Sequence, residues 1–431
     1  MAAASKLIYT AAHGGFAGLG VPLGGGATIS DWLADEWRNQ PRFKLQLVTP
    51  AILGSLAPAG RDITRFNERA YARFCLAFSR AATQHILEND PANCAVLVND
   101  ISEAPDFARL AAAGFRIVTI YHVDVVDYIA TIYLKGWLSA ATLARTWQKV
   151  RSLAAPIAPT ILKLIFERQR DSLLYSHCVV VPSEQMKSIL LGAYPDTPPG
   201  RIEVVPWGVH AESAPESEIA AELASIRTQY GLTSASPVIL CLSRISPEKG
   251  QDLLLDGLIE LERQRAFQEN PPSLLICGDP AFMRGQPHMD LLRRLASRLQ
   301  RVRVHFPGHV TGARKLAMFR AAQVYAFPSR HESYGLTLAE ALSQGLPSVA
   351  FDQPGSAEIL KQGQGILVPA GPDAPVQFAS EAAALLSDLA RRAALSASAL
   401  RWADAHQFRS AAARIASLLG LGPTSPGPEQ R

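Results

Sequence analysis

Gln323-Val324-Tyr325-Ala326-Phe327-Pro328-Ser329-Arg330-His331-Glu332-Ser333-Tyr334-Gly335-Leu336-Thr337-Leu338-Ala339-Glu340 is the stretch on which the reading of this chain turns. Its first part, Gln323–Ser329, is short, apolar and rich in strand formers. Leu338–Gln344 reads as helix, closed by Gly345 and then Pro347. The segment is therefore strand, tight loop, helix N-terminus. Backbone N–H groups from Tyr334 to Thr337 would point out of that helix end, where hydrogen bonding and the macrodipole both favour a phosphate. Glu332 precedes the helix and Glu340 follows eight positions on, inside it. Carboxylates on either side of a phosphate suit hydroxyls on either side of it: a sugar, a diphosphate and a ribose in a row.

Outward from this point, apolar runs of strand length recur with helical patterns between them. They are Leu7–Tyr9, Leu45–Val48, Ala95–Val98, Ile117–Ile120, Val179–Val181, Ile202–Val205, Val238–Leu242, Leu274–Cys277, Val302–Phe306, Val324–Phe327, Ser348–Phe351 and Gly365–Val368. Runs apolar on both faces, alternating with helices, predict parallel sheets covered by helices. The rhythm falters between about Trp207 and Pro237, so the expected organisation is two doubly wound α/β domains, 1–208 and 209–400. Their ligands would lie at the C-terminal strand ends. A C-terminal helix, 401–423, is expected to pack back toward the first domain, and 424–431 reads as a disordered tail.

At 431 residues the chain exceeds one ordinary core. Hydrophobic residues make up 48% and charged residues 19%, which is globular. A net charge of +4 argues against a nucleic-acid partner. The five cysteines show no C-x-x-C or Cys/His ligand spacing, so buried free thiols in a reducing compartment are expected. No signal peptide is visible, and the expected location is cytoplasmic.

A second candidate cluster follows Val238–Leu242, in Ser243-Arg244-Ile245-Ser246-Pro247-Glu248-Lys249-Gly250. Two cations on a strand-to-helix loop suit a diphosphate, Arg244 as a fork and Lys249 as a point charge; a solvated loop is the plain alternative. In the first half, Leu7–Tyr9 leads into a glycine-rich loop containing His13, Gly14, Gly15 and Phe16, with a helix expected from Thr28 or Ser30. Such a loop allows close backbone approach to a ligand, but it is neither a dinucleotide fingerprint nor a P-loop. His122 and Asp100 each follow a strand at its C-terminal end. Asp100 is the weaker candidate, for an acceptor contact.

The series Ser-Arg-x-x-x-Glu-Lys-Gly, Ile-Cys-Gly-Asp, Phe-x-Gly-His-Val, Pro-Ser-x-x-Glu-Ser-Tyr-Gly-x-x-x-x-Glu-Ala and Pro-Gly-Ser-Ala-Glu runs in this order from 243 to 358. It resembles the donor domain of the retaining GT-B glycosyltransferases of family 4, and the first half resembles the family only weakly. The resemblance implies two Rossmann-like domains facing across a cleft. Glu332 would hold donor-sugar hydroxyls and Glu340 the ribose. Ser333, Tyr334, Gly335, Leu336 and the Thr337 hydroxyl would surround the distal phosphate, and Arg244 and Lys249 would neutralise the leaving diphosphate. His309 and Val310 would lie where the base edge is read. The loop with Gly14, Gly15 and Phe16 would close over the donor, and His122 would contact its sugar. Pro354-Gly355 departs from the usual double glycine.

The implied activity is transfer of a sugar from a nucleoside diphosphate to an acceptor sugar, metabolite or lipid-linked saccharide, with retention. No carboxylate nucleophile announces itself, so a front-face route is expected, in which the leaving phosphate takes the acceptor's proton. No cofactor or metal is expected, because no Asp-x-Asp motif stands in a suitable loop and two cations already serve the diphosphate. Two rivals are a nucleotide-sugar epimerase, which needs acid/base side chains instead of this series, and a non-catalytic nucleotide-sugar-binding subunit. Finally, residues 128–170 carry seven Lys or Arg against Glu167 alone, a net +6, interleaved with Trp137, Trp147 and aliphatics. This predicts a basic amphipathic helical insertion that either packs on its own domain or rests on an anionic membrane.

Overall fold

Each of the twelve apolar runs forms a strand, because consecutive residues such as Leu7, Ile8 and Tyr9 are fully buried on both faces of a covered sheet. The computed structural model describes residues 5–12, 24–58, 66–99, 101–134, 137–154, 156–210, 212–267, 269–281 and 284–421. Gly14, Gly15, Phe16, Asp100, Lys135 and the tail 424–431 lie outside the described residues. The chain divides into two units, Met1–Trp207 with Phe408–Arg431, and Gly208–Gln407.

In the first unit, β1 (Lys6–Thr10), β2 (Lys44–Val48), β3 (Cys94–Val98), β4 (Arg116–Ile120), β5 (Cys178–Val181) and β6 (Ile202–Val204) form one sheet in the order β2-β1-β3-β4-β5-β6. All its pairings are parallel, and the order reverses between β1 and β3. One core gathers Ile8, Phe74, Phe78, Val96 and Phe107, and another Tyr121, Val179, Val181 and Leu190. The helix after β1 runs Gly25–Arg38, a turn earlier than its side-chain pattern suggests. Residues 401–405 continue the helix Leu389–Ala405 of the second unit. The last helix, Phe408–Leu418, packs in the first unit, with Phe408 edge-on to Trp32 at 5.2 Å and Arg414 paired with Glu203.

In the second unit, β7 (Val238–Leu242), β8 (Ser273–Cys277), β9 (Arg303–Gly308), β10 (Val324–Phe327), β11 (Ser348–Phe351) and β12 (Ile366–Val368) are ordered β12-β11-β10-β7-β8-β9, again all parallel. The chain lays down β7 to β9 on one side and then returns beside β7 with β10. The order therefore reverses between β7 and β10, which puts the loops after those two strands next to each other. All five cysteines are buried and free.

Candidate functional site

The loop after β7 contains a short turn, Pro247–Lys249, and then Gly250 at φ 63° before the helix Gln251–Arg263. A Cβ on Gly250 would stand 2.0 Å from the Pro328 carbonyl oxygen, so only glycine lets this loop lie against the end of β10. Arg330 fastens the two loops from the other side. Its guanidinium donates to both Asp252 carboxylate oxygens at 2.7 Å and to the Pro247 carbonyl at 2.7 Å. Burial raises the Asp252 carboxyl, but the Arg330 fork outweighs it and holds the group below its ordinary range.

Lys249 and Glu332 meet at this junction. The Lys249 ammonium donates to Glu332 Oε2 at 2.5 Å, with both side chains largely buried. The Glu332 backbone is held at both ends, its N–H by Gln353 Oε1 at 3.0 Å and its carbonyl by the Gly355 N–H at 3.1 Å. Arg244 lies earlier in the same loop, 3.6 Å from Glu248. Burial raises the Glu248 carboxyl, but the Ser246 hydroxyl and the Arg244 and Lys249 charges more than offset it. Gln251 donates to Ser243 Oγ and to the Arg244 carbonyl, which fixes the backbone from which Arg244 projects.

After Glu332, Tyr334 is buried and its phenol accepts from the Gly208 N–H at 2.8 Å. Gly335 then adopts φ 103° as the residue before the helix Leu336–Ser343. No side chain caps that end, so the first N–H groups of the helix have no intrahelical acceptor. The Thr337 side chain lies beside the phenol of Tyr325 on β10, and that phenol donates to the Leu242 carbonyl at 2.9 Å. Tyr325 is fully buried and feels the charges of both Glu340 and Glu332, so the two glutamates stand around one aromatic post.

Glu340 is largely buried, and loss of water around it raises its carboxyl above the ordinary range. The Lys315 ammonium opposes this, donating to Oε1 at 3.1 Å from the helix Gly312–Ala321. Lys315 in turn pairs with Glu212, whose other oxygen accepts from the Gly312 N–H at 2.7 Å. Neither Glu212 nor Lys315 announces itself in sequence, since a lysine in a helix is ordinarily solvated. The loop after β9 brings Gly308 to φ 78°, with the His309 N–H on Asp279 Oδ1 at 3.2 Å and Val310 buried.

In the first unit, at the C-terminal ends of β1, β3 and β4, Asn99 Oδ1 accepts from the Tyr9 phenol at 3.1 Å and lies 2.7 Å from His122 Nε2. With the amide oxygen as acceptor, the Nε2 proton is the donor and Nδ1 is left as a base or acceptor. Loss of water around the ring holds the His122 imidazole far below its usual range, so it is neutral at physiological pH. Gly26 and Trp207 border the ring, the indole at 5.7 Å. An open hollow of about 710 Å³ elsewhere in the second unit, lined by Asp256, Glu260, Pro372 and Glu381, contains none of these groups.

Two parallel, doubly wound sheets, one carrying cations and carboxylates at its switch point, place the molecule in the GT-B class of α/β folds. The fold agrees with that of solved structures over 96% of this chain: Anabaena HepE in complex with UDP and glucose (TM-score 0.64, 17% identity, 99% of that chain) and the sucrose-phosphate synthase of Thermosynechococcus elongatus (TM-score 0.65, 18% identity, 98% of that chain). Residues 224–402 match the family described as Glycosyl transferases group 1. It is 33% identical over 232 residues to the GDP-mannose-dependent alpha-(1-6)-phosphatidylinositol monomannoside mannosyltransferase of Mycolicibacterium smegmatis, covering 52% of this chain and 57% of that one. It is 36% identical over 203 residues to the D-inositol 3-phosphate glycosyltransferase of Xylanimonas cellulosilytica, covering 46% of each. The chain thus spans about half the length of the curated relatives it matches.

Proposed function

We propose that this protein is a retaining glycosyltransferase that moves a sugar from a nucleoside-diphosphate donor to an acceptor hydroxyl. The observation that carries the reading is the Lys249–Glu332 pair at the switch point, with Arg244 beside it and the uncapped helix at Leu336. In this reading the diphosphate lies over the helix N-terminus, with its distal phosphate toward Arg244 and Lys249. Glu332 takes donor-sugar hydroxyls and Glu340 a ribose hydroxyl. The ammonium is already fixed on Glu332, so it does not have to reorient as charge develops on the leaving phosphate. The departing phosphate oxygen accepts the proton of the incoming hydroxyl on the same face of the sugar. The glycosidic C–O bond to phosphate breaks as the new C–O bond forms, so configuration is kept.

For the acceptor we propose a cyclitol or saccharide hydroxyl, free or lipid-linked. The activities for which the relatives are named, on an inositol phosphate and on a phosphatidylinositol monomannoside, support this class. The test is a thermal-shift panel with UDP, GDP, ADP, dTDP and their common sugar conjugates, followed by transfer assays with the stabilising donor. A nucleotide at about a hundred times its Kd stabilises by roughly 2.7 kcal/mol. Selective stabilisation by one base, lost in Glu340→Ala, is expected; no response to any nucleotide overturns the reading. Donor bound but converted to an epimer, with no transfer, would assign the site to an epimerase instead.

A further inference from the structure

The basic stretch of the first unit folds as two helices, Ala140–Ala154 and Thr160–Tyr175, joined by a turn with Pro156 and Pro159. Their facing sides pack on their own domain: Trp147 stacks on Phe166 at 5.0 Å, and Ala140, Ala144, Ile165 and Leu173 are buried in the core there. That accounts for only part of the apolar side chains. Among the described residues, twelve large hydrophobic side chains are exposed, and six of them lie between Leu134 and Ile157. Trp137 is 88% exposed, Leu153 81% and Ile157 86%, with Leu134, Leu138 and Val150 beside them in sequence.

The charges share that face. At a hundred degrees per residue, Arg145 and Lys149 project opposite Trp147, with Leu153 alongside them and Val150 on the flank. From Tyr128 to Phe166 there is no Asp or Glu, while Lys135, Arg145, Lys149, Arg151 and Lys163 are basic. Lys149 and Lys163 are exposed, with no carboxylate partner among the described residues; Arg151 reaches Glu167 only at 4.0 Å. A helix that only needed to pack on its domain gains nothing from an outward tryptophan, leucine and isoleucine at its two ends. A surface with apolar residues at its ends and the lysines Lys149 and Lys163 without a carboxylate partner matches an interface that is apolar beneath and negative on top.

We propose that the outer face of Ala140–Ala154, with the turns around Trp137 and Ile157, docks on an anionic lipid bilayer. Trp137, Leu153 and Ile157 enter the headgroup boundary, and Lys149 and Lys163 lie against the lipid phosphates, while Arg145 is held by the Gly192 carbonyl. The attachment is peripheral: among the described residues, no helix is long and apolar enough to cross a membrane. The inference stands apart from the donor reading, since it uses none of the same residues.

Co-sedimentation of the full chain with phosphatidylcholine vesicles containing about one-third phosphatidylglycerol tests it, beside pure phosphatidylcholine vesicles. Binding to the anionic vesicles only, weakened by salt, is expected. Lys149→Gln with Lys163→Gln should lower partitioning about twenty-five-fold, at about fivefold per cation. Trp137→Ser with Leu153→Ser and Ile157→Ser should abolish it while circular dichroism and the melting curve stay unchanged, these residues being on the surface. Absence of wild-type binding, equal binding to neutral vesicles, or triple-variant binding at the wild-type level overturns the proposal. So does a concentration-dependent dimer that the triple variant abolishes without vesicle binding in the wild type, since the face then serves a second copy.

Discussion

Lys315 Nζ donates to Glu340 Oε1 at 3.1 Å, while Glu340 Oε2 is buried with no hydrogen-bond partner among the described residues. A buried carboxylate with one oxygen pinned and the other idle is arranged to accept one more donor. The groups facing it are Lys315 from Gly312–Ala321, Glu212 behind that lysine, and the Tyr325 phenol of β10. Burial and Glu212 both favour the protonated acid, and Lys315 opposes them. In Lys315→Met the carboxyl should stay protonated well into the neutral range. Nucleoside-diphosphate affinity at pH 7 should fall about tenfold, roughly the worth of one charge-assisted bond. It should recover as pH rises, so that the gap to the wild type narrows from pH 6 to 9. Calorimetric titration across that range decides; a uniform loss at every pH would mean that Lys315 only shapes the helix.

Arg244 and Lys249 are expected to act on the leaving group more than on the resting donor. Lys249→Ala and Arg244→Ala should each lower kcat about a hundredfold or more, with a much smaller change in donor Kd. Single-turnover rates beside direct binding measurements separate the two effects. Wild-type turnover in either variant would remove that residue from the mechanism.

Gly355 tests the geometry behind Glu332. A Cβ there would lie 2.8 Å from the Glu332 carbonyl oxygen, 2.8 Å from the Tyr334 nitrogen and 2.9 Å from the Tyr334 oxygen, all backbone atoms. The neighbouring Pro354 takes the first position of its helix, where a missing N–H costs nothing, so proline replaces one glycine of the usual pair while Gly355 stays obligatory. Gly355→Ala should cost about 1–3 kcal/mol of stability and weaken donor binding by moving the Glu332 loop. Pro354→Gly should change donor binding little. Denaturant melts with a binding isotherm on each variant check both.

The strands were legible because burial on both faces leaves an uninterrupted apolar run: Val238–Leu242, Val324–Phe327 and Ser348–Phe351 begin and end where the composition does. Glu332, Arg244 and Lys249 were legible because they sit on strand-to-helix loops, where polar residues have no packing reason to be, and Glu340 because it follows Glu332 by eight positions just inside the next helix. Lys315, Glu212 and Gln353 were not. Each is an ordinary surface residue by its local pattern, and Glu212 meets Lys315 only because the helix Gly312–Ala321 returns to it from far along the chain. The Gly25–Arg38 helix was placed late because its first turn is glycine, which carries no periodic signal. The basic stretch read as two possibilities, and the structure shows why: Trp147 and Phe166 satisfy one, Trp137 and Ile157 the other.

His122 supplies a stability test with a definite sign. Its imidazole titrates far below the unfolded value near 6.5, so between the two the unfolded chain binds a proton that the folded chain refuses. The neutral ring's contribution is therefore full above about pH 6.5 and is lost as pH falls. Asp124, pushed up to about 6 by burial, works in the opposite sense, so the wild-type curve alone would hide the effect. Comparison with His122→Asn isolates it, because Asp124 is common to both chains. The variant should be less stable at pH 7, where the Asn99 hydrogen bond is missed. It should gain on the wild type by up to about 2 kcal/mol by pH 5, at 1.36 kcal/mol per unit. Urea melts at pH 7, 6 and 5 measure the difference; a gap that stays constant with pH would mean that the folded chain protonates His122 as readily as the unfolded one.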